Sequence, residues 1–118
     1  MNTEQQIQNA IMRWCALHEH MRVFRQNTGA ADLNGRMVKF GVKGQADLRC
    51  IVAPHGRLVE VEVKKRGGRQ SQAQKNYQSM LESLGGVYVL AFCVEDVWQR
   101  MRDEFPQHEW QTPAQVQA

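Results

Sequence analysis

Hydrophobic residues recur every three to four positions in three stretches of the chain, residues 4–18, 71–84 and 94–105. This spacing gathers the apolar side chains on one face and predicts three amphipathic helices. Thr3 precedes the first stretch, and Ser71 opens the second. Both residue types are suited to cap a helix, because their hydroxyl oxygen accepts a hydrogen bond from a free backbone N–H.

Between these stretches, apolar residues either alternate with polar ones or form short runs, which is typical of strands. The strands are expected at 21–26, 46–54, 57–64 and 87–93. The turn formers of residues 54–56 predict that the second and third strands form a hairpin. Residues 27–36 are rich in turn formers and are interpreted as a loop, and residues 37–45 as only partly extended.

The order of these elements predicts an α/β fold, with a mixed β-sheet flanked by helices. A chain of 118 residues is the size of one domain with one hydrophobic core. We assign residues 1–105 to that domain and expect the Gln-rich tail, residues 106–118, to be frayed. The sequence has no secretory signal pattern and no apolar run long enough to cross a bilayer, so a cytoplasmic location is expected.

Composition narrows the function only slightly. The net charge of +3 permits an anionic partner without requiring one. Cys15, Cys50 and Cys93 are far apart and lack the spacing of zinc ligands. We interpret them as reduced residues in or near the core.

The strand predicted at 57–64 has an unusual distribution of charge. Because alternate side chains share one face of a strand, its three valines point to one side, and Glu60, Glu62 and Lys64 point to the other. Taken alone, this pattern is typical of a solvated sheet face with ion pairs. Asp47, near the start of the preceding strand, favours another interpretation, because a hairpin can bring it beside Glu62 or Glu60.

Two carboxylates held close together repel each other, and a divalent cation relieves that repulsion. Asp47 and Glu62 would make a minimal Mg²⁺ site, since Mg²⁺ binds one or two carboxylates and keeps several waters. Backbone carbonyl groups would complete the coordination, and the carbonyl of Val63 is one candidate. Lys64 would then lie beside the cation, where it could orient an attacking water or neutralise charge that develops on a phosphate.

Two further polar residues lie at the edges of the apolar helix faces. Glu4 is in the first turn of the first helix, where a carboxylate gains from the helix dipole but is also commonly just solvated. Gln74 faces the margin of the sheet from the second helix. It is either a satisfied side chain at the core edge or a hydrogen-bonding partner of the site, and spacing leaves both open.

Several short motifs follow one another in a fixed order along the chain. They are Glu4 with Ile7-Gln8, "VFRQNTG" (23–29), G-x-x-D-L (44–48), E-V-K (62–64) and Q-S-x-x-Q (70–74). Over about residues 3–95 this set resembles the VRR-NUC family, a branch of the PD-(D/E)XK nuclease superfamily. A lone D…ExK pattern arises often by chance, whereas the ordered set is specific. Ala46 departs from the superfamily pattern, in which proline is common at that position.

The resemblance implies a PD-(D/E)XK nuclease-like core of α-β-β-β-α-β type and hydrolysis of phosphodiester bonds that depends on Mg²⁺ or Mn²⁺. By position, the implied catalytic set is Asp47, Glu62, Lys64, Glu4 and Gln74. Asp47 and Glu62 match the metal ligands of the family, and Lys64 matches its catalytic lysine. Glu60 is additional, and it either supports the site or solvates the strand.

Short solitary members of this family occur in phages and prophages and resemble homodimeric Holliday-junction resolvases. The resemblance therefore implies a structure-selective endonuclease that acts on branched DNA as a homodimer, in the host cytosol if it is phage-encoded. Lys65, Arg66 and Arg69 follow the active-site strand and could reach flanking phosphates, although a solvated basic loop is equally typical.

Two other functions are kept as alternatives. One is a nuclease that acts on flaps, nicks, duplex DNA or RNA, because surface shape and dimer geometry decide the target. The other is a non-catalytic module that binds nucleic acid with the same fold. The retained carboxylates argue against this second alternative, since unpaired acidic groups weaken the binding of phosphate.

Overall fold

The computed structural model describes residues 2–26 and 29–116. Its elements in chain order are α1 (Glu4–Cys15), β1 (Met21–Arg25), β2 (Gly29–Leu33), β3 (Arg36–Phe40), β4 (Leu48–Val52), β5 (Arg57–Val63), α2 (Gln72–Ser83), β6 (Val87–Ala91) and α3 (Val94–Glu104). Thr3 and Ser71 cap the first two helices through their side chains, as predicted. A mixed sheet flanked by helices is confirmed.

Four strands form one sheet in the order β1-β4-β5-β6. β1, β4 and β5 are antiparallel neighbours, and β6 is parallel to β5. A parallel pair requires a long crossover connection, and α2 lies in that connection. β4 and β5 are the two central strands of the sheet. Asp47 directly precedes β4 and Glu62 lies near the end of β5, so the antiparallel pairing places both residues at the same end of the sheet.

Different helices cover the two faces of this sheet. The three valines of β5 pack in the main core together with apolar residues of α1 and α3. On the opposite face, Tyr77 and Leu81 of α2 pack with Tyr88 of β6. Both faces of β5 are therefore buried, and Glu60 and Glu62 do not lie on a solvated surface.

Residues 29–40 form a separate two-stranded sheet in a region where a loop was predicted. β2 and β3 pair antiparallel from Gly29 with Phe40 to Leu33 with Arg36. The φ angles of Asn34 and Gly35 are 54° and 78°, which is the geometry of a two-residue hairpin turn. The loop prediction is wrong from residue 29 onward, because the turn formers there belong to a β-ribbon. Residues 27–28 lie outside the described residues.

The tail after α3 packs against the body of the protein. Trp110 contacts the main core, and Val116 is buried. The indole Nε1 of Trp14 donates a hydrogen bond of 2.8 Å to the carbonyl oxygen of Gln111. The prediction of a frayed tail is therefore wrong for residues 106–116, because their aromatic and apolar side chains complete the core. The last two residues lie outside the described chain.

The cysteines agree with a further expectation. Cys15 and Cys50 are buried free thiols, and Cys93 is a half-buried free thiol. Among the described residues, no helix has the length and apolar character needed to span a membrane.

Candidate functional site

Asp47 lies at the entry to β4, and the backbone of β5 holds its carboxylate. Its Oδ2 accepts a hydrogen bond of 2.8 Å from the backbone N–H of Val63. Its carbonyl oxygen accepts a second bond, also 2.8 Å, from the backbone N–H of Gln26. These contacts fix Asp47 at the end of β5 where Glu62 and Lys64 lie.

Gly44 lets the segment that contains Asp47 approach α2. Its φ is +81°, and a Cβ placed there would lie 2.2 Å from the carbonyl oxygen of Ala73. Any side chain at this position would push the segment away from the start of α2, so the close approach requires glycine.

Glu62 is only 3% exposed, and its two carboxylate oxygens have different surroundings. Oε2 accepts a hydrogen bond of 3.0 Å from Nε2 of Gln74 and lies 3.6 Å from Nζ of Lys64. Oε1 is buried and has no hydrogen-bond partner in the described part of the chain. Burial and the charge of Asp47 raise the pKa of Glu62 to about 8, although Lys64 acts to lower it.

Asp47 and Glu62 have the donor chemistry of a Mg²⁺ or Mn²⁺ site. Within residues 2–26 and 29–116, no three His, Cys, Asp or Glu side chains form a group that could hold a metal ion. Mg²⁺ does not require such a group, because it binds one or two carboxylates and takes its remaining ligands from water and substrate. The unpartnered Oε1 of Glu62 fits this requirement, since a cation would satisfy it. Val63, whose carbonyl is a candidate ligand, is also the residue that holds Asp47.

Lys64 completes the group at this end of the sheet. Its side chain is 15% exposed, and its ammonium lies close to Glu62. Its backbone N–H donates a hydrogen bond of 3.0 Å to the carbonyl oxygen of Ala91, which extends the pairing of β5 with β6. The structure thus brings together the three residues that the sequence predicted to be neighbours.

Gln74 hydrogen-bonds to Glu62, as one of the two alternatives left open by its spacing predicts. Its Oε1 accepts a hydrogen bond of 2.8 Å from the backbone N–H of Ser71, while its Nε2 reaches Glu62. Oγ of Ser71 accepts in return from the backbone N–H of Gln74. This reciprocal capping box fixes the side chain of Gln74.

Glu4 lies at the margin of the site. Its Oε2 accepts a hydrogen bond of 3.3 Å from the backbone N–H of Lys65, which joins the first turn of α1 to the end of β5. Its side chain is exposed, and it does not form a group of three acids with Asp47 and Glu62.

The basic loop, defined here as Lys65, Arg66 and Arg69, connects β5 to α2. All three residues are exposed. In the described parts of the chain, no carboxylate forms an ion pair with any of their side chains. Their charges are therefore available to an anionic partner next to the site.

Glu60 is fully buried and forms a network that the sequence did not predict. Both of its oxygens lie 2.8 Å from the hydroxyl of Tyr77, which donates to them. Gln26 and Arg49 donate to it at 2.7 Å and 3.3 Å. Gln26 lies within the "VFRQNTG" motif (23–29), a signal that could have identified it, whereas Tyr77 is one of the apolar-face residues of the helix predicted at 71–84.

No protein-family model matches this sequence, and a search of curated proteins finds no significant similarity. The resemblance to a nuclease family therefore depends on the ordered motifs of the sequence alone.

Proposed function

We propose that the protein is a metal-dependent endonuclease of the VRR-NUC type that hydrolyses phosphodiester bonds in branched DNA. The supporting observation is the arrangement around Glu62. Asp47 is close enough to raise the pKa of Glu62, Lys64 lies 3.6 Å from it, and its Oε1 is buried without a partner. Two carboxylates and a lysine at the same end of the two central strands suit metal-assisted attack of water on a phosphate.

The strand order is consistent with the same assignment. Without the hairpin β2–β3, the chain runs through one helix, three antiparallel strands, a helix and a parallel strand. This is the α-β-β-β-α-β order that the family resemblance implies. In this proposal the hairpin is an insertion between the first two strands of the core.

Each residue of the site has a separate role in the proposed hydrolysis. Bound Mg²⁺ or Mn²⁺ supplies Lewis acidity for the hydrolysis, and Asp47 and Glu62 would hold the ion. Gln74 holds Oε2 of Glu62, which leaves Oε1 for the ion. The ammonium of Lys64 donates hydrogen bonds to the phosphate as negative charge develops on it, or orients the attacking water.

Branched DNA and a homodimer form the finer part of the proposal. Both follow from the resemblance to junction resolvases, and the exposed basic loop is consistent with a polyanionic substrate. A symmetric dimer presents two sites related by a two-fold axis, and a four-way junction offers a matching pair of strands.

The experiment that tests this function compares substrates and metals. The protein is incubated with labelled four-way junction, flap, linear duplex, single-stranded DNA and RNA, each with Mg²⁺, Mn²⁺ or EDTA. We expect paired symmetric cuts in the junction and no cutting in EDTA. Asp47→Asn should reduce the rate by roughly 10²–10³-fold, because it removes the charge of a metal ligand. Gln99→Ala, on the exposed face of α3, is the matched control and should cleave normally.

The outcomes separate the alternatives. Equal cutting of duplex and junction, or a monomer at working concentration, would refute the resolvase assignment and leave a nuclease. Cutting of RNA or flaps alone would identify a different target. Binding of DNA with no cleavage in either metal would identify a non-catalytic module.

A further inference from the structure

Glu60 has no part in the chemistry described above, yet it is the most deeply buried acid in the described residues. It is 0% exposed, and a carboxylate removed from water is costly unless it is fully hydrogen-bonded. Tyr77, Arg49 and Gln26 satisfy both of its oxygens. Gln26 differs from Tyr77 and Arg49, because its side chain also forms hydrogen bonds to residues other than Glu60.

Gln26 holds three consecutive residues. Its Nε2 donates to Oε1 of Glu60 at 2.7 Å and also to the carbonyl oxygen of Ala46 at 3.2 Å. Its Oε1 accepts a short hydrogen bond from the side chain of Gln45. Its backbone N–H donates to the carbonyl oxygen of Asp47 at 2.8 Å. The segment 45–47 is therefore hydrogen-bonded to a single residue, Gln26, which directly follows β1.

We infer that Gln26 is a positioning residue of the candidate site, and that buried Glu60 fixes the side chain of Gln26. This inference rests on the proposed function. Glu60 and Glu62 are two residues apart on β5, so they point to the same face of one central strand. Glu62 is one candidate metal ligand. Glu60 holds the side chain of Gln26, which in turn binds Gln45 and Ala46, the two residues directly before the other candidate ligand. The strand thereby sets the spacing between the two carboxylates.

A purely structural role for Gln26 would make a different prediction. If Gln26 only joins β1 to β4, its loss should lower the melting temperature without changing the affinity for metal. If it positions Asp47, its loss should loosen residues 45–47 and weaken metal binding. Mutation of a residue that orients a metal ligand typically lowers metal affinity or activity by about 10–100-fold.

The test compares Gln26→Ala with the exposed control Gln99→Ala. Three quantities are measured: Mn²⁺ affinity by calorimetry, cleavage of a labelled four-way junction as a function of Mn²⁺ concentration, and amide hydrogen exchange of residues 44–48 in the metal-free protein. For Gln26→Ala we expect about 10–100-fold weaker Mn²⁺ binding. We also expect a matching rise in the Mn²⁺ concentration for half-maximal cleavage, near-normal turnover at saturating Mn²⁺, and faster exchange in this segment.

Glu60→Gln is the second variant. It replaces an acceptor oxygen by a donor that faces other donors, so it should give the same changes in Mn²⁺ affinity and exchange. If this buried substitution does not fold, Gln26→Ala alone decides the question.

The inference is overturned if Gln26→Ala lowers the melting temperature but leaves Mn²⁺ affinity and exchange unchanged. It is also overturned if cleavage is lost and no Mn²⁺ concentration restores it while affinity is normal, since Gln26 would then act on the substrate directly. A wild-type protein that neither binds Mn²⁺ nor cleaves DNA would refute the proposed function, and this inference with it. A wild-type protein that does both, beside an unaffected Gln26→Ala, refutes this inference alone.

Discussion

The side-chain amide of Gln74 donates a hydrogen bond of 3.0 Å to Oε2 of Glu62. The same side chain accepts a hydrogen bond from the backbone N–H of Ser71, at the start of α2. One glutamine therefore both caps a helix and contacts a candidate metal ligand. A second capping box, formed by Thr3 and Gln6 at the start of α1, has the same internal contacts but, within the described chain, no hydrogen bond to the site.

The two boxes provide a matched pair of variants, Gln74→Leu and Gln6→Leu. Each removes one capping contact, so we expect both to lose about 1 kcal/mol or less of unfolding free energy. Only Gln74→Leu should weaken cleavage and Mn²⁺ binding, by about 10-fold or more, because only Gln74 orients Glu62. Urea unfolding and calorimetric titration measure these two effects. Equal activity of the two variants would mean that Gln74 is only a helix cap.

Lys64→Met separates catalysis from metal binding. We expect turnover to be lost, because no ammonium then reaches the phosphate or the attacking water. Mn²⁺ binding should be kept or strengthened, because the substitution removes a positive charge 3.6 Å from Glu62. Binding is compared at a pH high enough to ionise Glu62 in both proteins, since Lys64 lowers the pKa of Glu62 and its loss raises that pKa. Lys75→Met, an exposed lysine on α2, is the control. Full activity of Lys64→Met at neutral pH would exclude a catalytic role.

Metal binding should release a proton from Glu62. Its carboxyl, with a pKa raised to about 8 by burial and Asp47, is largely protonated at pH 6–7, and the cation requires the ionised form. Mn²⁺ affinity should therefore rise by up to about tenfold per pH unit toward pH 8 and level off above it. Calorimetry in buffers of different ionisation enthalpy counts the released protons. A pH-independent affinity between 6 and 8 would contradict this expectation.

Folding stability should show the opposite dependence on pH in the absence of metal. Between the ordinary pKa of 4.5 and the raised value of about 8, folded Glu62 holds a proton that the unfolded chain has released. The free energy of unfolding should therefore fall as pH rises through this window. His18 and His20, whose pKa values are lowered by burial, act in the other direction below pH 6.5.

The contribution of Glu62 is isolated by subtracting the curve of Glu62→Gln from that of the wild type in urea unfolding at several pH values. Because both proteins contain the same histidines, their contribution cancels. The control Gln99→Ala, on the exposed face of α3, removes no titratable group and should keep the wild-type slope. A difference curve that is flat between pH 5 and 8 would show that the carboxyl of Glu62 titrates normally.

The basic loop should determine the affinity of the protein for DNA without taking part in the cleavage reaction. Replacing Lys65, Arg66 and Arg69 by glutamine should weaken binding to every DNA sequence and flatten its salt dependence, by up to about 0.9 in log–log slope per lost phosphate contact. Anisotropy titrations in EDTA over a range of salt concentrations measure this slope. The matched control removes three exposed charges elsewhere, Arg13, Arg22 and Arg102, and should retain the wild-type slope.

Local rules explain what could be predicted of the fold and the site. Helical spacing and capping residues predicted α1 and α2, and alternation on a strand put Glu60, Glu62 and Lys64 on one face. Pairing of β4 with β5 then brought Asp47 beside them. The approach of Asp47 to Glu62 therefore follows from rules that act within a hairpin.

Contacts between distant elements explain what could not be predicted. Gln26 and Tyr77 reach Glu60 from positions 34 and 17 residues away, and no local pattern pairs either residue with Glu60. Alternation alone is typical of a solvated face at Glu60 and Glu62, because it does not show that α2 covers this face of β5. The glutamines of the tail predict that it is frayed. In the structure, Trp110 packs against the main core and fixes the position of the tail.

The docking of this tail has a consequence for biosynthesis. Gln111 accepts from Nε1 of Trp14 at 2.8 Å and donates through its N–H to Nε2 of His18 at 3.0 Å. These contacts join residues 97 and 93 positions apart, so neither can form on the ribosome until almost the whole described chain has been synthesised. Until then the nascent protein leaves one end of α1 uncovered, although all six strands of the described residues have already been synthesised. Completion of the core should therefore wait for the synthesis of residues 106–116.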